Sequence, residues 1–126
     1  MRAYRIVLAD DHVLFREGLK RILAEQADLE IIGEAGNGLE LLELLGKVTP
    51  QMVLLDISMP GRDGLEILKE LKSLRPKLPV LMLSMYPEEQ YAVRSLRSGA
   101  SGYLTKDTSW RSPSGRDRAT IHLPLV

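Results

Sequence analysis

Five short apolar segments alternate strictly with four amphipathic ones over most of this chain, and that alternation leaves few folds open. Residues 5–9 (Arg-Ile-Val-Leu-Ala), 52–55 (Met-Val-Leu-Leu) and 79–83 (Pro-Val-Leu-Met-Leu) are nearly continuous apolar runs. A strand buried on both faces reads this way. Residues 29–35 alternate more and fit an outer strand, and 102–105 make a weaker fifth. Between them, Phe15, Leu19, Ile22 and Leu23 recur at i, i+4, i+7 and i+8, which predicts a helix over about 13–26 with one apolar stripe. Leu39, Leu42 and Leu45, then Leu65, Leu68 and Leu71, repeat an i, i+3 spacing in two further helices, with Asn37 and Asp63 as N-caps. A fourth helix is expected from Pro87 to just before Gly99.

Parallel strands need crossover connections, so the order βαβαβαβαβ predicts an α/β fold: a doubly wound parallel sheet with helices on both faces. In such sheets ligands bind outside the carboxyl ends of the strands. Polar residues at those ends are therefore the ones to examine.

Composition removes several function classes. At 126 residues the chain has room for one domain. Seventeen basic side chains match seventeen acidic ones, so no net field draws the chain to nucleic acid or an anionic membrane. With no cysteine, a disulfide scaffold, a thiolate zinc site and a cysteine nucleophile are all excluded. The N-terminus enters an apolar strand without a signal-type hydrophobic region, and no run of 18 apolar residues occurs, so a cytoplasmic protein without a membrane partner is expected. The pattern stops after Lys106. Residues 1–106 are read as one domain, and 107–126 as an atypical tail: it contains Pro113, Gly115 and Pro124 and has no stripe for the fifth covering helix such a sheet needs. The tail is expected to be non-native, disordered or self-associating, with Trp110 a packing or contact residue.

The chemistry sits at the strand ends. Asp10 and Asp11 follow the first strand and Asp56 the third, so three carboxylates converge at one edge of the sheet if those two strands are neighbours. Like charges persist in one place only when a cation or proton neutralises them. An oxygen-rich, partly hydrated site suits Mg²⁺. Ser84 closes the fourth strand and Lys106 the fifth, supplying the hydroxyl and ammonium that bind phosphoryl oxygens. Asp56, single and central, is the candidate nucleophile. Taken singly, the Asp10–Asp11 pair and Ser84 read as helix caps and Lys106 as a surface charge; their joint placement favours the site. His12, a histidine with no partner in the sequence, reads as a surface residue rather than a ligand.

The motifs Ala-Asp-Asp-His at 9–12, Leu-Leu-Asp-Ile-Ser-Met-Pro-Gly-Arg-Asp-Gly at 54–64, Leu-Ser at 83–84 and Gly-Tyr-Leu-Thr-Lys at 102–106 closely resemble receiver domains of bacterial two-component response regulators. The wording is nearest the NarL/FixJ branch, whose output is a LuxR-type helix-turn-helix, and the resemblance covers residues 4–106. It implies a flavodoxin-like sheet of order 2-1-3-4-5. It also implies that Asp10, Asp11, Asp56 and the backbone carbonyl of Ser58 hold Mg²⁺, and that Asp56 accepts a phosphoryl group from a histidine kinase. Ser84 would be the switch hydroxyl, Lys106 the phosphate-binding lysine and Tyr103 the aromatic switch, with Ser58 and Tyr86 tuning phosphoryl lifetime. The chain departs from the family at Asp107, where many members have a cis-proline, and at Met85, which is larger than the usual alanine or glycine. The expected product is a phosphoprotein switch, a likeness that implies a homodimer and contact with DNA only through an output domain absent from this chain. It is expected to be no enzyme beyond its own phosphorylation and autodephosphorylation. Two other readings compete: a small-molecule phosphohydrolase, which would want an acid where Ser58 stands, and a receiver fragment truncated before its fifth helix that acts as a dimerisation or interaction module.

Overall fold

The computed structural model describes residues 4–25, 28–57, 63–84 and 89–105. Their elements run β1 (Tyr4–Ala9), α1 (Val13–Ala24), β2 (Leu29–Ala35), α2 (Gly38–Leu45), β3 (Met52–Asp56), α3 (Gly64–Leu74), β4 (Val80–Ser84), α4 (Glu89–Arg97) and β5 (Gly102–Thr105). The strands form one sheet of order β2-β1-β3-β4-β5, every pair parallel. The predicted doubly wound α/β fold and its strand order are both observed. The expected tail, 107–126, with Trp110 and the Lys106–Asp107 peptide, lies outside the described residues.

Strict side-chain alternation explains why the central strands are apolar throughout. Val7, Ala9, Val53, Leu55, Val80 and Met82 face one way and pack with Leu41, Leu45, Ile67, Leu68 and Leu71 from α2 and α3. Their neighbours Ile6, Leu8, Met52, Leu54, Leu81 and Leu83 face the other way, with Leu19 and Leu23 of α1. A strand with a helix on each side has no polar face to offer. β2, at the sheet edge, keeps Glu30 and Glu34 exposed, as its alternation predicts.

The predicted caps form. The Asn37 side chain accepts from the Glu40 N–H at 2.9 Å, while Glu40 Oε1 reaches back to the Gly36 N–H at 2.7 Å. Asp63 Oδ1 accepts from the Leu65 N–H at 2.9 Å. The bonds to the Glu40 and Leu65 amides satisfy groups that a helix start leaves without an intrahelical partner, and the bond from Gly36 ties the entering chain to the first turn of α2. Past α4, Gly99 takes φ +105°, the conformation for which glycine is favoured after a helix.

Two expected boundaries move in a way that matters. Asp56 does not follow its strand but ends it, paired with Leu83, while Ser84 closes β4 as expected, paired with Thr105. Ladder bonds are made by the backbone, so a polar side chain does not stop a strand whose neighbour continues. α1 ends at Ala24, two residues before the expected limit, with the Glu25 N–H bonded back to the Ile22 carbonyl.

Candidate functional site

The site is built at the carboxyl edge of β1 and β3. Ala9 pairs with Leu55 across these strands, so Asp10 and Asp56 emerge side by side. Asp10 shares the alternation of Ile6 and Leu8, and Asp56 that of Met52 and Leu54, which directs both toward the face carrying α1. The β1–β2 register slips by one residue between Ile6 and Val7, after which Ala9 pairs with Ala35 and the Asp10 N–H donates to the Ala35 carbonyl at 2.9 Å. The backbone beneath Asp10 is therefore held from both neighbouring strands.

Asp10 and Asp56 are fully buried, while the Asp11 side chain is 31% exposed. One ligand atom from each of Asp10, Asp11, His12 and Asp56 lies within 4.8 Å of the others. Isolated buried carboxylates carry a desolvation cost of several kcal/mol each, so such a group calls for positive charge between its members. Three carboxylates around a partly open pocket form the hard, anionic oxygen set that a divalent cation takes. The donor set thus fits the expected metal.

His12 is a surface residue, as the sequence reads it, with its side chain 47% exposed, but it is not isolated: its Nδ1 is hydrogen-bonded to Asp10 Oδ1 at 3.2 Å and stands 3.4 Å from Asp11 Oδ1 and 3.8 Å from Asp56 Oδ2. Its backbone N–H also donates to Asp10 Oδ1 at 2.7 Å. The sequence signal was adjacency to Asp10–Asp11, but the approach to Asp56 depends on a residue 44 positions away, which only the β1–β3 pairing brings near.

Arg16, one turn into α1, was not singled out from the sequence. Its Nη1 donates to the Asp10 carbonyl at 3.0 Å, and its Nε lies 3.6 Å from Glu34 Oε1. Lys20 extends the chain of charges to Glu34 at 2.9 Å and Glu17 at 3.0 Å. Bonds first to Glu34 and then to Glu17 hold the Lys20 pKa above its ordinary 10.5. Helix α1 is thereby tied by polar contacts to the ends of β1 and β2.

The floor beneath Asp56 depends on Gly64. This first residue of α3 donates its N–H to the Ile57 carbonyl at 3.1 Å, and a Cβ there would stand 2.5 Å from Ile57 Cα and 2.7 Å from the Asp56 carbonyl oxygen. Only a residue without a Cβ lets the helix start this close to the strand end.

Ser84 ends β4 fully buried, and Tyr103 of β5 is half-buried against the α2–α3 core. Thr105, paired with Ser84, is the last described residue of its strand. Lys106, Ser58, Met85 and Tyr86 lie outside the described residues. The fold therefore brings together Asp10, Asp11 and Asp56 and sets Ser84 at the same edge of the sheet, on the strand next to β3.

The comparisons with known proteins agree with this arrangement. The family model described as response regulator receiver domain matches residues 6–112. The transcriptional regulatory protein DegU of Brevibacillus brevis is 43% identical over 103 residues, 82% of this chain and 44% of that protein. The nitrate/nitrite response regulator protein NarL of Escherichia coli K12 is 41% identical over 102 residues, 81% of this chain and 47% of that protein. Among solved structures, the signal receiver domain of NarL from Mycobacterium tuberculosis superimposes with a TM-score of 0.81 at 34% identity, covering 96% of this chain and 95% of that one. The response regulator domain of Thermotoga maritima CheB does so with a TM-score of 0.79 at 32% identity, covering 94% and 90%. The chain spans about half the length of the curated relatives it matches. A parallel sheet of order 2-1-3-4-5 with an acidic cluster at the ends of β1 and β3, joined to these likenesses, makes the chain a member of the response regulator receiver domain family, in its NarL-type, LuxR-family branch.

Proposed function

We propose that this chain is a phosphorylation switch that takes a phosphoryl group from a histidine kinase onto Asp56. The observation that carries the reading is the Asp10–Asp11–Asp56 cluster, with the Asp56 carboxylate fully buried at the end of a central strand. Asp10, Asp11, Asp56 and the backbone carbonyl of Ser58 would hold Mg²⁺. When bound, such an ion supplies positive charge that offsets the charge on the nucleophile and the transferred group.

In the transfer, a carboxylate oxygen of Asp56 forms a bond to phosphorus as the phosphorus–nitrogen bond of the donor phosphohistidine breaks. The electron pair stays on the imidazole nitrogen, which takes a proton from solvent. A carboxylate that attacks as the anion needs no general base. The Asp10 backbone, held by Ala35 and Arg16, keeps the carboxylates in place.

The acyl phosphate adds about −1.5 to −2 charges at the end of β3. The Ser84 hydroxyl, on the adjacent strand, and the Lys106 ammonium would turn to its oxygens, and Tyr103 would repack beside them. Ser58 and Tyr86 would set how fast water removes the phosphate. This local charge biases a two-state surface near α4 and β5, through which a homodimer forms and a DNA-binding output responds. The chemistry belongs to a cytoplasmic signalling protein rather than to a turnover enzyme; among the described residues no helix is long and apolar enough to cross a membrane.

Acetyl phosphate with Mg²⁺ and intact-mass spectrometry test the reading. One added phosphoryl group is expected, and none after chelation or in Asp56→Asn. Absence of the adduct, or equal labelling of Asp56→Asn, would refute it.

A further inference from the structure

We infer that the cavity at the amino-terminal edge of the sheet, between Tyr4, Pro50 and the 75–79 loop, is a binding site for a small aromatic carboxylate. It lies at the end of the strands opposite the acidic cluster. From Met52 to Asp56, β3 spans about 13 Å at about 3.3 Å per residue, so a ligand in the cavity does not reach Asp56. The inference is therefore independent of phosphorylation.

The cavity measures about 710 Å³. Small-molecule sites span about 300–1,000 Å³. Its walls are fixed before any ligand arrives. Pro50, Pro76 and Pro79 have φ locked by their rings. The Gln51 N–H donates to the Arg5 carbonyl at 2.8 Å, and Gln51 Oε1 accepts from the Arg5 N–H at 3.0 Å, which pins the chain entering β3 to β1. In the 75–79 loop, the Leu78 N–H donates to the Arg75 carbonyl at 3.1 Å and Lys72 Nζ donates to the Leu78 carbonyl at 2.8 Å. Arg75 Nη2 donates to the Leu45 carbonyl and so ties this loop to the end of α2. Little ordering entropy is left to lose when a ligand enters.

The lining has two chemical halves. The Tyr4 ring, the proline rings and Leu78 offer apolar surface against which an aromatic ring packs. The charge is of one sign: among the described residues that line the cavity, Arg75 and Lys77 are cations and none is acidic. Neither cation has a carboxylate within ion-pair distance among the described residues. Helices α2 and α3 both end at this edge and each brings about half a negative charge, which the two whole positive charges outweigh, so the net field favours an anion. The Leu45 contact occupies one nitrogen of Arg75, and the rest of the planar fork remains to pair with a carboxylate. An inorganic anion would leave the apolar half uncovered, and an uncharged ring would leave the cations unpaired.

Titration of the ¹⁵N-labelled full chain with 2-naphthoate, followed by amide chemical shifts, tests the site. Saturable shifts should centre on Tyr4, Gln51, Lys77 and Leu78. The uncharged analogue 2-naphthalenemethanol should bind at least about tenfold more weakly, as should naphthoate to Arg75→Met, because hydrogen bonds to charged groups are worth that much. Lys77→Met, at an exposed position, should weaken binding about two- to fivefold. Arg75→Met also loses the Leu45 contact, so Thr49→Trp provides an independent block: it fills the cavity from an exposed rim position, keeps both cations and should abolish the shifts. Circular dichroism of Lys77→Met and Thr49→Trp should match the parent. No saturation by about 1 mM naphthoate, shifts centred elsewhere or equal affinity for the alcohol overturns the inference. Undiminished binding in Lys77→Met and Thr49→Trp overturns it as well.

Discussion

Replacing Gly64 with alanine would separate the end of β3 from the start of α3, and the cost follows from the backbone. The new Cβ would lie 2.5 Å from Ile57 Cα, 2.7 Å from the Asp56 carbonyl oxygen and 2.8 Å from the Ile57 carbonyl oxygen. Carbon atoms rest at about 3.5–4.0 Å, so strand and helix must part by about 1 Å. None of these three atoms belongs to a side chain that can swing away, and the Gly64 N–H to Ile57 carbonyl bond is stretched in the process. Overpacking of this kind costs about 1–3 kcal/mol, and a clash with backbone alone belongs at about 2–3. With an unfolding entropy of about 2.1 cal/mol/K per residue over roughly 100 folded residues, that lowers Tm by about 10–15 °C. Because the displaced strand end carries Asp56, and a misplacement of about 1 Å at a reacting group can cost about 100-fold, acyl phosphate formation should slow as well. Thermal melts by circular dichroism and timed acetyl phosphate labelling read the two effects. Gly36→Ala is the control: its Cβ would meet only the flexible ends of Glu40, at 3.3 Å, and Arg16, at 3.6 Å, so Tm should stay within about 3 °C. A Gly64→Ala protein that melts and labels like its parent would refute the argument.

Other substitutions separate the remaining contributions. Leu68→Ala, at a fully buried position of α3 between the sheet and α2, should destabilise by about 2–5 kcal/mol in urea titrations without preventing metal binding. Arg16→Met removes the donor to the Asp10 carbonyl and should cost about 1–3 kcal/mol, with Mg²⁺ affinity by calorimetry falling in step; unchanged affinity would free the metal loop from dependence on α1. The raised Lys20 pKa fixes the sign of a pH effect. Its contribution to stability is fully present just below 10.5 and is lost as pH rises through the higher folded value, so the parent's advantage over Lys20→Met should shrink in that alkaline range. An advantage that instead vanished on acidification through neutrality would contradict this.

Much of the site was legible because strand ends are legible. Asp10, Asp11, Asp56 and Ser84 each stand where an apolar run stops, and in a parallel α/β sheet those stops fall along one edge. The caps at Asn37 and Asp63 were equally plain, since a cap is a contact within three residues of sequence. Where the reading fell short, the missing information was a distance across the sheet. His12 looks solitary in sequence, and its approach to Asp56 arises from the β1–β3 register. Arg16 looks like an ordinary charge on an amphipathic helix until α1 is laid on its sheet, where the side chain reaches back to the Asp10 carbonyl and across to Glu34.

The sequence by itself determined the alternation of strand and helix, the parallel sheet that follows from it and the residue types at the strand ends. Local periodicity and crossover geometry act through neighbours along the chain. The tertiary structure decided which of those residues meet. Register fixed the one-residue extension that makes Asp56 part of β3, the burial of two carboxylates side by side, and the turn of His12 into the acidic cluster. These depend on pairings between segments tens of residues apart, where a slip of one position would turn every side chain to the opposite face.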